Sequence, residues 1–202
     1  MAVEIRTEEL TGDVIERRVD ELLQSGLGYE EYRDGYVNFC KWFSGKEQKL
    51  WLYALKNYNW DNEILPLYFM VERKECDLSV AKSIFWLSEF DYFWCDEKNW
   101  INPRFAAATK SMLELIVERE DQFGFVRSQL GPVHCRYLRD MRKDVEQVSK
   151  RLIAIAPKIP TSLLNVEDFS PTGCYDEERF QEYASEDTSS FQSLGCWPSS
   201  AH

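Results

Sequence analysis

The chain of 202 residues holds two histidines, His134 and the last residue, His202, so acid–base chemistry near neutral pH has one internal centre. Cys135 follows His134 and would complete a nucleophile–base pair if the two side chains met. Both fall in the first turn of a helical stretch, where neighbours point about 100° apart, so the adjacency makes no dyad. Carboxylates are the other resource. Glu114, Glu118 and Asp121 are four and three residues apart, which sets them on one helix face. Glycoside hydrolysis or metal chemistry could use such groups. A di-metal bundle would add Glu-x-x-His pairs, and the sequence contains none. The stripe reads as a solvated acidic face. Gly26-Leu27-Gly28 opens like a phosphate loop, but Glu31 stands where the third glycine belongs and no strand precedes it. Walker, dinucleotide and zinc-protease signatures are missing as well. No catalytic residue, metal site or cofactor is expected.

What remains is a surface for binding. Glu89-Phe90-Asp91-Tyr92-Phe93-Trp94-Cys95-Asp96-Glu97 alternates aromatic rings with acids, and protein interfaces enrich Tyr, Trp and Phe at their energetic centres. Trp86, Glu89, Asp91, Tyr92, Trp94, Asp96 and Glu97 are therefore the candidate partner-binding residues. The competing reading is that the rings tuck inward and leave only the acids exposed. Net charge is −11, the wrong sign for a protein that neutralises nucleic-acid phosphates. It suits a basic protein partner, whose complementary field would speed encounter, although acidity also serves solubility alone.

These residues must be held by helices. Ile15, Val19 and Leu22 recur at helical spacing, between a start at Thr11 or Gly12 and a stop at Gly26. A second, aromatic-rich helix is expected over 29–43, interrupted by Gly35, and a third over 46–58. Asn57 to Asn62 has the composition of a turn, and a short helix with Pro66 in its first turn follows over 64–71. Asp77 is placed to cap a helix reaching about Phe90, whose apolar surface (Leu78, Val80, Ala81, Ile84, Phe85, Leu87) suits a central element. Its one polar stripe, Ser79, Lys82, Ser83 and Glu89, carries Trp86. Pro103 starts a helix to about Asp121. The longest helix runs from Gly131-Pro132 to about Ala156, with Leu138, Met141, Val145, Val148, Leu152 and Ile155 as a packing seam. The expected fold class is all-α, one domain of about six or seven helices over residues 1–157.

Residues 158–202 form an acidic, serine-rich extension that keeps scattered aromatics such as Phe169, Tyr175 and Trp197. A flexible tail would be poor in such rings, so the extension is expected to wrap the helical body or to order on a partner. The first thirty residues are charged throughout and no apolar run approaches the roughly 20 residues of a membrane span. A cytoplasmic protein with no membrane partner is expected. The six cysteines stand 19 or more residues apart, which fits free, buried thiols better than a disulfide framework.

Five of the seven tryptophans lie between Trp51 and Trp100, around two signatures. Asn57-Tyr58-Asn59-Trp60-Asp61 with Pro66, then Cys76-Asp77-Leu78, Ala81 and Phe85-Trp86-Leu87, resemble a bacterial family described only as domain of unknown function 4274. The resemblance covers roughly residues 47–90. It departs at Asn62-Glu63 and Ser88-Glu89-Phe90, where the family favours glycine and an Ala-Asp-Gly ending. It implies a small, mostly helical bacterial cytosolic protein with no established enzymatic activity, similar to immunity proteins that block one cognate toxin. Asn57, Asn59, Trp60, Asp61, Cys76 and Asp77 read as scaffold, the polar ones satisfying backbone groups at a turn or helix end. Two other readings compete with a toxin-binding one. A tryptophan-lined pocket could hold a small ligand or an unrecognised active site, with Asp61 and Asp77 as its polar groups. Alternatively, the chain could be a helical subunit of a larger complex.

Overall fold

The structure, a computed structural model, describes residues 5–56, 58, 64–88, 102–127 and 159–164. Within them the chain forms one all-α domain of seven helices: α1 (Gly12–Gln24), α2 (Arg33–Ser44), α3 (Gln48–Lys56), α4 (Leu65–Glu72), α5 (Leu78–Leu87), α6 (Pro103–Gln122) and the single turn α7 (Thr161–Leu164). No strand occurs among the described residues.

Local chemistry sets the helix ends. Thr11 Oγ1 accepts the Val14 N–H at the start of α1, satisfying one of the donors that a first turn leaves unpaired. Gly26 then adopts φ 81°, and the N–H groups of Gly26 and Leu27 close on the carbonyls of Leu23 and Leu22. That left-handed turn is the cheap conformation of a glycine and ends the helix. Gly28 does a different job: a Cβ there would stand 3.0 Å from Tyr36 Cε2 and 3.1 Å from Leu65 Cδ1. The expected interruption of the second helix at Gly35 does not occur. A 3₁₀ turn over Glu30–Tyr32 leads into α2, and Gly35 lies inside its first turn. The burial of Tyr36, Phe39, Cys40 and Phe43 along one face outweighs the cost of a single glycine, which is under about 1 kcal/mol.

The core is aromatic. Phe43 meets Trp51 edge-on at 4.9 Å and Phe69 at 5.5 Å, while the Trp51 indole N–H donates to the Phe43 carbonyl at 3.0 Å. Trp51 thus buries its large ring without orphaning its one polar atom. Helix α4 is buried on all sides except at Tyr68, and α5 packs between α3, α4 and α6. The central placement expected for α5 holds, but its polar stripe does not reach solvent: Ser79, Lys82 and Ser83 are buried. Two seryl hydroxyls turn back onto their own helix, Ser83 Oγ to the Ser79 carbonyl at 2.7 Å and Ser88 Oγ to that of Ile84 at 2.6 Å. A serine that bonds its own backbone can be buried without leaving a hydroxyl unpaired.

Charged groups tie the helices together. Glu72, 3% exposed on α4, receives two bonds from the Arg18 guanidinium of α1, at 2.8 and 2.6 Å. Burial raises the Glu72 pKa, against the pull of Arg18. Asp20–Arg33 and Glu16–Lys41 link α1 to α2 at the surface. The connector between α4 and α5 is held from both sides by isolated parallel bridges, Arg6 with Arg73 and Asp77 with Val126.

Candidate functional site at helix α5

The signature Cys76-Asp77 sits where three parts of the chain meet. Asp77 Oδ1 accepts the Ser79 N–H at 2.8 Å, and its own N–H donates to Gln48 Oε1 of α3 at 2.9 Å. The Leu78 N–H donates to the Val126 carbonyl at 2.8 Å, and the Val126 N–H to the Cys76 carbonyl at 3.2 Å. Asp77 is thus a helix cap. Cys76 beside it is fully buried, and burial pushes its thiol far above the ordinary range. Cys76 packs as a small hydrophobe in the core. Cys40 is likewise buried in the core.

The loop that brings Val126 to this point is fixed by the end of α6. Arg119, 1% exposed, donates through Nη1 to the carbonyls of Val71 and Arg73 at 2.5 and 2.6 Å, and through Nη2 to that of Lys74 at 3.3 Å. Its guanidinium also covers the Phe125 ring at 4.2 Å. Glu120 collects three donors: the Phe125 N–H at 3.0 Å, Arg127 Nη2 at 2.6 Å and Ser162 Oγ at 2.5 Å. Sequence reasoning attended to Glu114, Glu118 and Asp121, which are exposed, and passed over this pair. A signal was present: Arg119 and Glu120 lie three and four residues after Ile116, on the face that buries Met112 and Ile116.

At the other end of α5, Trp86 is 1% exposed and its indole N–H donates to the Leu163 carbonyl at 2.8 Å. The expectation that Trp86 flanks an open binding surface is corrected: α7 covers it. The first residues of the extension wrap onto the body, for Ile159, Leu163 and Leu164 join the same hydrophobic core. Ser88, with its N–H on the Ile84 carbonyl at 3.0 Å, is the buried cap from which the chain enters the aromatic–acidic segment. Glu89, Asp91, Tyr92, Trp94, Asp96 and Glu97 lie outside the described residues, as do Asn57, Asn59, Trp60 and Asp61 of the first signature. So do His134, the seam from Leu138 to Ile155 and the extension beyond Leu164.

A shallow recess opens away from α5, lined by Gly28, Tyr29, Ile64, Arg104 and Phe105. Its cation is already engaged, since the Arg104 guanidinium lies 4.3 Å over the Tyr29 ring and bonds the Gly28 carbonyl. No described helix is long and apolar enough to cross a membrane. No protein-family model, curated protein or solved structure matches this chain.

Proposed function

We propose that this protein is a cytoplasmic immunity-type binder, a relative of the domain of unknown function 4274 family, that neutralises a bacterial effector toxin by occluding it. The observation that carries the reading is the aromatic–acidic run Glu89 to Glu97, which follows directly on the buried, capped end of α5 at Ser88. The net charge of −11 complements a toxin with a basic surface.

The described polar groups read as scaffold. Asp77 is committed to its helix cap, Cys76 is buried, and Arg119 and Glu120 hold the 123–127 loop. The small-ligand alternative has Asp61 and Asp77 as its polar groups; the cap bond engages one oxygen of Asp77.

The test is co-expression. The product of the gene adjacent to this one, produced in a sensitive host, arrests growth; this chain restores growth and co-purifies with that product. Absence of a toxin gene nearby, together with purification from the native host without a partner, defeats the proposal.

A further inference from the structure

Three tyrosines form a ladder at the turn that leads into α2. Tyr32 meets Tyr29 with ring centres 6.4 Å apart at 84°, and Tyr36 at 6.4 Å and 70°, both edge to face. Tyr36 is buried, and its hydroxyl accepts the Tyr29 N–H at 3.3 Å, so the core anchors the ladder. Tyr29 carries the Arg104 guanidinium 4.3 Å over its ring. Tyr32, between the two, is 52% exposed.

The charge around Tyr32 is unbalanced. Glu30 and Glu31 precede it on the same 3₁₀ turn, both exposed, and neither forms an ion pair among the described residues. Asp34 follows, its side chain 94% exposed. The cation of the turn, Arg33, is committed elsewhere: its guanidinium closes on Asp20 of α1 at 2.5 and 3.0 Å and stands 3.5 Å from Asp34. Two residues span at most about 7 Å, so the backbone sites of all three acids fall within a Debye length of Tyr32.

A single exposed tyrosine is ordinary on a protein surface. This one is held by two edge contacts, so a ligand freezes little rotamer freedom by covering it. The face of an aromatic ring is negative and attracts a cation set over it, and Glu30 and Glu31 add a field of the same sign. The same ladder shows the contact in place, for Arg104 stacks on Tyr29 and still bonds the Gly28 carbonyl. A guanidinium can lie flat on a ring while its fork reaches an acceptor, which an ammonium cannot match.

We infer that the exposed Tyr32 ring, with Glu30 and Glu31, is a contact site for an arginine side chain presented by a basic protein surface. This deepens the binding function proposed above and rests on it for the toxin as the source of that arginine; the preference for arginine does not depend on it.

The test uses the full chain and two peptides of equal charge, acetyl-Gly-Arg-Gly-Arg-Gly-amide and its lysine counterpart, at low salt. Binding is read by nuclear magnetic resonance at the Tyr32 ring and at the amides of Glu31 and Arg33. The arginine peptide is expected to shift the Tyr32 ring saturably, while its own side-chain protons move upfield under the ring current. The lysine peptide should bind roughly two- to fivefold more weakly. Tyr32→Leu should lower the affinity for the arginine peptide, read at the two amides, by roughly two- to fivefold, and Tyr32→Phe should retain it. Glu30→Gln with Glu31→Gln should weaken both peptides and flatten the salt dependence. Equal binding of the two peptides, or the parent's affinity in Tyr32→Leu, would mean that the acids alone attract cations, and overturns the site. If Tyr32→Leu loses the parent's circular dichroism, the ring shifts of the parent chain decide: an unmoved Tyr32 ring overturns the site. A chain that holds the arginine peptide at Tyr32 but binds no toxin keeps this site and loses the proposed function. One that binds a toxin but leaves the Tyr32 ring unmoved by the arginine peptide keeps the function and loses the site.

Discussion

Arg119 stacks its guanidinium on Phe125 at 4.2 Å while its Nη1 bridges the carbonyls of Val71 and Arg73. The last carbonyls of a helix have no partner within it, and Arg119 supplies one from α6 to the end of α4. Burial lowers its pKa, opposed by the nearby Cys76, Glu75 and Glu120. One side chain therefore joins the end of α4, the connector to α5 and the loop that pairs with Asp77. Arg119→Met is expected to cost about 3 kcal/mol, because it removes three bonds from a charged group and takes the Arg119 donor from the buried Val71 carbonyl, although the Arg73 carbonyl keeps the Cys76 N–H. Arg119→Lys should recover little of that, since an ammonium cannot span three carbonyls and stack on a ring. Urea denaturation measures both; full stability in the lysine variant would show that the fork geometry is not what holds these elements.

Asp77→Ala should cost about 1 kcal/mol through loss of the cap on Ser79, and Asp77→Asn should restore most of it. The comparison separates capping from chemistry. If Asn proves as damaging as Ala, the carboxylate charge has a role beyond the helix end, and a ligand pocket becomes the better account.

Gly26 and Gly28 are two residues apart and resist substitution for different reasons. Gly26→Ala meets no atom within 4 Å but inherits φ 81°, at a cost of roughly 1–2 kcal/mol. Gly28→Ala has no positive φ to bear but drives a methyl against Tyr36 and Leu65, costing roughly 1–3 kcal/mol. Gly26→Asn should recover stability, because asparagine tolerates the left-handed region. A smaller residue at Leu65 should relieve Gly28→Ala and do nothing for Gly26→Ala. Melting temperatures of the single and paired variants check both statements.

The surface links between α1 and α2 give a prediction about acid. The hydrogen bond from Lys41 holds the Glu16 pKa below its ordinary value, and the bond from Arg33 does the same for Asp20. The unfolded chain therefore takes up these protons first as pH falls. The links contribute fully above the ordinary carboxylate range of about 4, and their contribution is lost as pH drops through the lower folded-state values. Both pairs are exposed, so the effect is small and salt removes most of it. A Glu16→Gln, Asp20→Asn double variant should show a flatter decline of melting temperature between neutral and acid pH at low salt. A decline as steep as the parent's would place the acid sensitivity elsewhere.

How much of this was legible in the sequence depends on how far each cause lies along the chain. Thr11, Gly26, Asp77 and Pro103 act on backbone groups within a turn of themselves, and all four mark the ends where the helices do begin or stop. The burial of Trp86 could not be read, because its acceptor is supplied by Leu163, far along the chain. A stripe of Ser79, Lys82 and Ser83 looks like a solvent face until something covers it. Arg119 and Glu120 escaped notice because charged residues are seldom buried unless partnered, and their partners come from α4, the loop after α6 and α7. Gly35 shows the converse: a local signal for interruption was overruled by the aromatic face of α2.

The most direct measurement of the binding account is the affinity of this chain for the product of the adjacent gene, compared across variants of the Glu89–Glu97 run. Tyr92→Ala or Trp94→Ala should weaken binding by ~2 kcal/mol or more, about thirtyfold, with helical circular dichroism and melting temperature close to the parent's. Reversing Asp96 and Glu97 to Lys should chiefly slow association and flatten its dependence on salt. Affinity unchanged in all of these folded variants, or no binding by the parent chain at all, would contradict the account.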